Sequence, residues 1–187
     1  MNVSTFNLNQ FIQQMGLRRI PSPAAGSSLG VSFSMACSLM EMIVSEQVER
    51  KTESFPRQPS QDLSRIRKWK EEGLNLAGQD IQAVEKMIHK KGQTHPKEML
   101  APVSRLLTLA EKMMDLIRDY LPVAGAKVSD GWVAFLHVRS VYAGAIHIIM
   151  FNESAFDWPS SLQELDWEKQ LQKWDQQVLD GIREINQ

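Results

Sequence analysis

Residues 26–40 read GSSLGVSFSMACSLM and contain no charged side chain. The uncharged stretch extends from Ile20 to Met40, which is about the length of a membrane span. It carries two prolines, two glycines and six serines, however, whereas a lipid-facing helix is rich in Leu, Ile and Val. Small residues suit a helix that packs closely against protein. We therefore expect a helix from about Gly26 to Arg50 that other helices surround, and no membrane span.

A second apolar helix is predicted from Ser129 to about Phe151, where Arg139 is the only charge after Asp130. The rest of the chain shows apolar residues at helical spacing, and no window alternates as a strand does. The sequence therefore predicts an all-α protein, a single-domain helical bundle over residues 1–187 with two buried central helices. The other predicted helices are Asn7–Met15, Ser60–Lys90, Pro96–Tyr120 with an interruption at Pro102, and Ser161–Ile185.

Charge and cysteine content limit the partners and the compartment. The 21 basic and 22 acidic residues nearly cancel, which gives no electrostatic reason to expect a nucleic acid or an anionic membrane as partner. Cys37 is the only cysteine, so no intrachain disulfide is possible. Because the N-terminus also lacks the pattern of a signal peptide, we expect a cytoplasmic protein in which Cys37 is a buried, unreactive thiol.

Common site patterns are missing from the sequence. No two of the four histidines have the spacing of metal ligands on one helix turn, so no metal site is predicted. The sequence has no Walker loop, dinucleotide fingerprint or nucleophile elbow. Histidines on a buried helix are typically satisfied core or interface residues, and we interpret His137 and His147 in this way.

The loop from Pro21 to Ser28 is the first candidate site, because it opens directly into the first apolar helix. Small residues let a ligand approach the backbone, and the N–H groups at a helix start attract anions. The alternative is that Ser27 or Ser28 only caps the helix.

Asp80 is the second candidate, since its helical neighbours are all apolar: Leu76, Ala77, Ala83 and Val84. A carboxylate in such a patch is costly unless it is paired or faces a cavity, and burial would raise its pKa far enough for proton transfer. The alternative places Asp80 at the edge of the patch, in contact with water.

Ser129 and Asp130 form the third candidate, at the start of the second apolar helix. If the two apolar helices begin side by side, Asp130 faces the same cleft as the loop around Gly26, and Lys127 can hold an acidic substrate tail. The alternative is that Asp130 only stabilises its helix through the helix dipole.

Taken in order, these segments resemble the formiminotetrahydrofolate cyclodeaminase and methenyltetrahydrofolate cyclohydrolase family. The hallmark of that family is a Pro-x-Pro-Gly-Gly-Gly-Ser loop before a helix of small residues, and further motifs follow along the chain. The matching residues here are Pro21, Pro23, Gly26 and Ser27 in the loop, then Asp80 and Ala83, Pro102, Ser129 and Asp130, Gly144 and Ala145, and Asn152.

The resemblance implies an all-helical homodimer that acts on a tetrahydrofolate derivative as substrate and holds no permanently bound cofactor. It implies a catalytic acid/base at Asp130, with Asp80 as its partner or as the group that stabilises a cation. The remaining matched positions would bind the ligand: Pro23, Gly26, Ser27, Lys127, Ser129 and Asn152.

Three positions depart from the family pattern. Ala24 and Ala25 replace two glycines of the loop, and Ile148 stands where many members have Asn. All three lie where the family is expected to bind its ligand. They favour an alternative function, that of a catalytically degenerate member that binds a folate-like ligand or a protein partner without turnover. A purely structural helical dimer is a third possibility.

Overall fold

The chain, seen here in a computed structural model, is described over residues 7–18, 20–50, 57–89, 95–162 and 166–185. These residues form six α-helices and no strand, which confirms the predicted all-α, single-domain bundle. The helices are α1 (Leu8–Met15), α2 (Ala25–Arg50), α3 (Pro59–His89), α4 (Pro96–Tyr120), α5 (Val128–Ala155) and α6 (Trp167–Ile185). Two short 3-10 turns, Leu121–Val123 and Gly125–Lys127, join α4 to α5.

Helices α2 to α5 run alternately up and down. The start of α2 lies against the second half of α3, and its middle pairs with the first half, where Glu41 binds Lys70. Three helices later, α5 is again antiparallel to α2. Leu29 packs on Gly144 at one end of this pair, and Ile43 lies close to Gly131 at the other. The N-terminus of α2 therefore lies beside the C-terminus of α5.

Close contact between α2 and α3 depends on two glycines. A Cβ atom at Gly30 would lie 2.6 Å from the Gly73 carbonyl oxygen and 2.9 Å from the Ala77 nitrogen, far inside van der Waals contact. Ser34, one turn further along α2, places its hydroxyl 2.9 Å from the carbonyl oxygen of Lys70. The two backbones thus approach more closely than larger side chains would allow.

The two apolar helices are central, but each leaves one face uncovered in a single chain. In α5, Val133 and Leu136 are 45% and 56% exposed, and in α2 Met35 is 47% exposed. Both helices are long and apolar enough to span a membrane by length and mean hydropathy alone, and core helices pass the same test. The sequence predicts that protein surrounds both helices on all sides. Within a single chain this prediction is wrong, because each helix keeps one exposed face.

Two local predictions also need correction. Helix α4 continues through Pro102 without interruption, because packing against α3 and α5 outweighs the lost hydrogen bond. Ser161 does not begin the last helix, which starts at Trp167. Instead, the backbone N–H of Ser161 donates to the Glu153 carboxylate at 2.7 Å. Leu171 and Trp174 of α6 are buried as expected, whereas the side chains of Val178 and Ile185 lie outside the described residues.

The substitution Gly30→Ala tests the α2–α3 contact. The added methyl group would meet backbone atoms that cannot rotate away, so we expect the free energy of unfolding to fall by about 1–3 kcal/mol. Gly181→Ala in α6 is the matched control, because no atom lies within 4 Å of its added Cβ. That variant should gain about 0.5–1 kcal/mol. Urea denaturation of both proteins measures the difference, and equal effects would contradict the close contact.

Candidate functional site

A pocket of about 390 Å³ lies at the end of the bundle where the start of α2 meets the end of α5. Its volume falls within the range of small-molecule sites. Four helices contribute, because the alternating topology brings the starts of α2 and α4 together with the ends of α3 and α5. The lining is mostly apolar: Ala24, Ala25, Gly26, Asp80, Val84, Met99, Leu100, Val103, His147, Ile148, Phe151 and Asn152.

Asp80 is the only carboxylate among the described residues that line this pocket. It projects from α3 onto the first turn of α2, where its carboxyl group lies directly against the Cα of Gly26. Any side chain at position 26 would overlap the carboxylate, so glycine is required by space rather than by backbone conformation. The backbone N–H of Ser27 donates a hydrogen bond to the same carboxylate.

The start of α2 is capped in an unusual way. The carbonyl of Ala24 accepts the first helical hydrogen bond, from Ser28 N–H at 2.9 Å, so Ala24 occupies the N-cap position. Its methyl side chain cannot accept a hydrogen bond. Ser27 Oγ therefore accepts from the Ala24 N–H at 2.7 Å, and Asp80 accepts from the Ser27 N–H. Of the two serines that the sequence offered as caps, Ser27 contributes to the start of the helix, and Asp80 completes the cap from another helix.

Burial raises the pKa of Asp80 to about 6, although the hydrogen bond from the Ser27 N–H acts in the opposite direction. Desolvation dominates because the neighbouring pocket wall is apolar and no cation within the described part of the chain pairs with the carboxylate. The Asp80 side chain lines the pocket and is only partly buried, so elements of both interpretations from sequence apply to it. A pKa that is raised toward neutral pH suits a general acid or base.

Asn152 and His147 supply further polar groups from α5. The Asn152 side-chain amide donates to the Ile148 carbonyl at 2.8 Å, and its oxygen accepts no hydrogen bond from a described residue. The exposed imidazole of His147 also contacts the edge of the Trp167 ring, with 5.5 Å between the ring centres. Other residues predicted from sequence lie close by: Pro23 is buried just before the helix start, beside Gly26 and Ser27.

Ala24 and Ala25 are accommodated without strain. Neither is among the described residues with a positive φ, and Ala25 is the first residue of α2. The loop has thus adopted a shape that suits alanine. Ile148 also lines the pocket and adds to its apolar wall. All three departures from the family pattern therefore face the space in which a ligand would bind.

Ser129, Asp130 and Lys127 lie at the opposite end of the bundle. Gly131 is close to Ile43, and Ile43 is 17 residues beyond Gly26 on α2, a separation of about 25 Å. The Lys127 ammonium pairs with Glu46 of α2. The predicted crevice shared by Asp130 and Gly26 does not exist within one chain, because the two apolar helices are antiparallel.

Several pocket residues were missed by the sequence analysis, notably Met99, Val103 and Phe151. They are ordinary apolar residues, and no motif marks them. The relative direction of α2 and α5 could have been inferred from the number of helices between them. In a bundle with short connections, neighbours alternate in direction, so the start of α2 belongs with the end of α5.

Two other expectations concern residues outside the pocket. Cys37 is buried, as predicted, and burial raises the pKa of its thiol far above the usual range. His137 shares a hydrogen bond of 2.8 Å with Ser32 Oγ of α2, and this confirms the interpretation as a satisfied histidine.

Asp80→Asn should change how stability depends on pH. The folded pKa of about 6 exceeds the ordinary aspartate pKa of 3.8, so the folded state binds the extra proton and loses stability as pH rises through this interval. Asparagine has no proton to release in this pH range, so the variant does not lose that stability. Between pH 4.5 and 7.5, we expect the variant to gain about 2 kcal/mol relative to the wild type. Urea denaturation at both pH values measures this gain, and parallel stability curves would contradict the buried carboxylate.

Comparison with known proteins identifies a similar structure but no family by sequence. No family model matches the chain, and no curated protein matches it significantly. A crystal structure of formiminotetrahydrofolate cyclodeaminase from Thermotoga maritima superimposes with a TM-score of 0.65 at 16% sequence identity. The match covers 98% of this chain and 95% of that one. The chain therefore shares the fold of that cyclodeaminase over nearly its whole length.

Proposed function

We propose that this protein is an enzyme of folate one-carbon metabolism, a cyclodeaminase or cyclohydrolase acting on formimino- or methenyltetrahydrofolate. The observation that carries the proposal is the Asp80 carboxyl group, which is held in an apolar pocket with its pKa raised to about 6 by burial. The similarity in fold to a formiminotetrahydrofolate cyclodeaminase supports the choice of substrate class. The tetrahydrofolate derivative is the substrate, and the proposal requires no permanently bound cofactor.

Both reactions require what Asp80 offers. In cyclodeamination, N10 of the folate attacks the formimino carbon and loses its proton, the terminal nitrogen gains a proton, and the bond from the carbon to that nitrogen breaks, so that ammonia leaves and the methenyl cation remains. In hydrolysis, water attacks the methenyl carbon and releases one proton; the bond from that carbon to N5 then breaks as the hydroxyl proton moves to N5, which leaves a formyl group on N10. A carboxyl group that titrates near pH 6 can give or accept these protons, and its ionised form stabilises the cationic centre.

The surrounding residues suit the same ligand. The flat walls made by Val103 and Phe151 can hold an aromatic ring, and the Asn152 amide oxygen can accept a hydrogen bond from a ring N–H group. Gly26 leaves room for the Asp80 carboxyl group against the first turn of α2, and this holds the carboxyl group at the pocket wall. Ser129, Asp130 and Lys127 are too distant in the same chain and enter this proposal only if a second copy supplies them.

The proposed setting is a cytoplasmic homodimer that binds neither nucleic acid nor membrane. A free, buried cysteine is compatible with a reducing compartment. The near-neutral charge offers no general attraction for phosphate groups.

Asp80→Asn tests the proposed chemistry. We expect turnover to fall by about 10²–10⁴-fold, because asparagine cannot exchange the proton. Purified protein is supplied with formiminotetrahydrofolate or with methenyltetrahydrofolate, and the methenyl absorbance and released ammonia are followed. Wild-type turnover should also rise with pH through about 6 if the ionised carboxylate is the active form.

Asp115→Asn is the matched control. This exposed carboxylate of α4 pairs with Arg118 at the surface and does not line the pocket, so turnover should stay at the wild-type level. A wild-type protein that turns over neither substrate would refute the enzymatic proposal. Unchanged turnover in Asp80→Asn would refute the role of Asp80 alone.

A second candidate function is binding without catalysis. It is favoured by the pocket lining, in which Ala24, Ala25 and Ile148 present methyl groups beside a single carboxylate. A degenerate relative of this kind would bind a folate-like ligand or a protein partner. Calorimetric titration with tetrahydrofolate separates the two, since binding with no turnover of either substrate supports this candidate.

A further inference from the structure

His147 is the second titratable side chain at the pocket. Among the described residues that line it, only Asp80 and His147 carry a titratable group. The sequence predicts a satisfied histidine at this position, and within one chain that prediction is wrong. The imidazole is exposed, and neither ring nitrogen forms a hydrogen bond with a described residue. Unlike His137, which binds Ser32, His147 therefore has both ring nitrogens open to a molecule in the pocket.

Asp80 and His147 lie at the same height along the bundle. Leu29 of α2 packs on Gly144 of α5, and these two helices are antiparallel. Gly26, which touches the Asp80 carboxyl group, stands three residues before Leu29. His147 stands three residues after Gly144. Both steps cover about 4.5 Å toward the same end of the bundle, so the carboxyl group and the imidazole reach the same level.

The two groups enter the pocket from opposite sides. Asp80 belongs to α3 and His147 to α5, and each of these helices packs mainly against α2 and α4. Helices with that pattern of neighbours occupy opposite corners of a four-helix bundle. A ligand in the pocket therefore has a half-buried carboxyl group on one side and an exposed imidazole on the other.

Helix α6 holds the imidazole ring in place. The centres of the His147 and Trp167 rings are 5.5 Å apart, and their planes are inclined by 70°. Trp167 is itself partly buried and packs against the hydrophobic core. Such a contact between rings restricts the rotation of the imidazole without using its nitrogen atoms. The ring nitrogens thus remain available for proton transfer.

Deamination of a formimino group requires two such transfers at one carbon atom. N10 loses a proton as it attacks, and the terminal nitrogen gains one as it leaves. These two nitrogens are bonded to the same carbon on different sides of it. A single carboxyl group fixed to one wall is poorly placed to face both, whereas two groups on opposite walls can each face one.

We propose that His147 is a catalytic residue that donates the proton to the departing nitrogen, while the Asp80 carboxylate accepts the proton of N10. This inference rests on the proposed function and commits it to deamination. Its exposed position suits the imidazole to this role, because it regains its proton from water and ammonia leaves on the open side of the pocket.

The proposed step balances without a further reactant. The substrate enters with its formimino group protonated. The bond from N10 to the formimino carbon forms, and the bond from that carbon to the terminal nitrogen breaks. Ammonia and the methenyl cation are the products, Asp80 ends protonated and His147 ends neutral. Asp80 then releases its proton to water, and His147 takes one up, which restores the starting state.

His147→Ala tests the role of the imidazole. With formiminotetrahydrofolate as substrate, we expect ammonia release to fall by about 10²–10⁴-fold. Because the position is exposed, imidazole added to the solution can enter the vacated space and should raise turnover of the variant by about tenfold or more. Imidazole should not rescue Asp80→Asn, in which the carboxylate is missing. His89→Ala, at an exposed histidine outside the pocket, should keep wild-type turnover.

Two results with an active wild-type enzyme would overturn this inference and leave the proposed function intact. One is wild-type turnover in His147→Ala. The other is a loss of turnover that imidazole does not restore, which would give His147 a structural role only. A wild type that hydrolyses methenyltetrahydrofolate but releases no ammonia from formiminotetrahydrofolate would also overturn it. Turnover of neither substrate would refute the proposed function as well.

Chemical modification tests the position of His147 without relying on turnover. Diethyl pyrocarbonate reacts with exposed imidazoles, and mass spectrometry measures the modification of each histidine. A ligand in the pocket covers His147, so saturating tetrahydrofolate should slow its modification by about tenfold. The exposed ring of His89 should react at the same rate with and without the ligand. Equal modification of His147 in both samples, with tetrahydrofolate bound by calorimetry, would refute its contact with the substrate.

Discussion

The close contact between α2 and α3 is the constraint on which the rest of the structure depends. Gly26, Gly30 and Ser34 are spaced by four residues and form one row of small side chains along α2. The backbone of α3 lies in this row, with Gly73 and Ala77 against Gly30. The same approach brings Asp80, one turn beyond Ala77, against the first turn of α2. Packing that holds the bundle together therefore also fixes the carboxyl group at the pocket.

Two effects of opposite sign act on the pKa of Asp80. As an acceptor for the Ser27 N–H it completes the start of α2, and this bond favours the ionised form. Burial beside the apolar pocket favours the neutral form, and because its effect is the larger one, the pKa of Asp80 is raised. A Ser or Asp at position 24 would cap the helix from its own chain segment and would not require a buried carboxylate. Because Ala24 at the N-cap has no side-chain acceptor, the start of α2 depends on Asp80, a group whose pKa is raised to about 6.

Much of the fold was predictable because helical signals are local. Helix α1 spans Leu8–Met15, within one residue of the predicted bounds, and Asn7 caps it by accepting a hydrogen bond from the Gln10 N–H at 2.8 Å. Asp80 was also identified, since four apolar neighbours at helical spacing are a local pattern. The crevice between Gly26 and Asp130 was predicted wrongly, because it depends on the relative direction of two helices that are distant in sequence. The Ser161 capping pattern failed for a similar reason: a long-range partner, Glu153, binds its N–H.

Apolar composition favours a helix that is covered by protein, but it does not indicate which side of the helix its own chain covers. Helix α5 is apolar around its circumference, yet its own bundle covers only the side that carries Val138, Tyr142 and Ile149. The opposite side, with Val133 and Leu136, has the same composition, yet these two side chains are about half exposed. A soluble chain gains by burying such a surface, since each exposed aliphatic side chain is unfavourable by about 1–2 kcal/mol. The sequence prediction of two enclosed helices and the exposed face in one chain are reconciled if a second copy provides the missing cover.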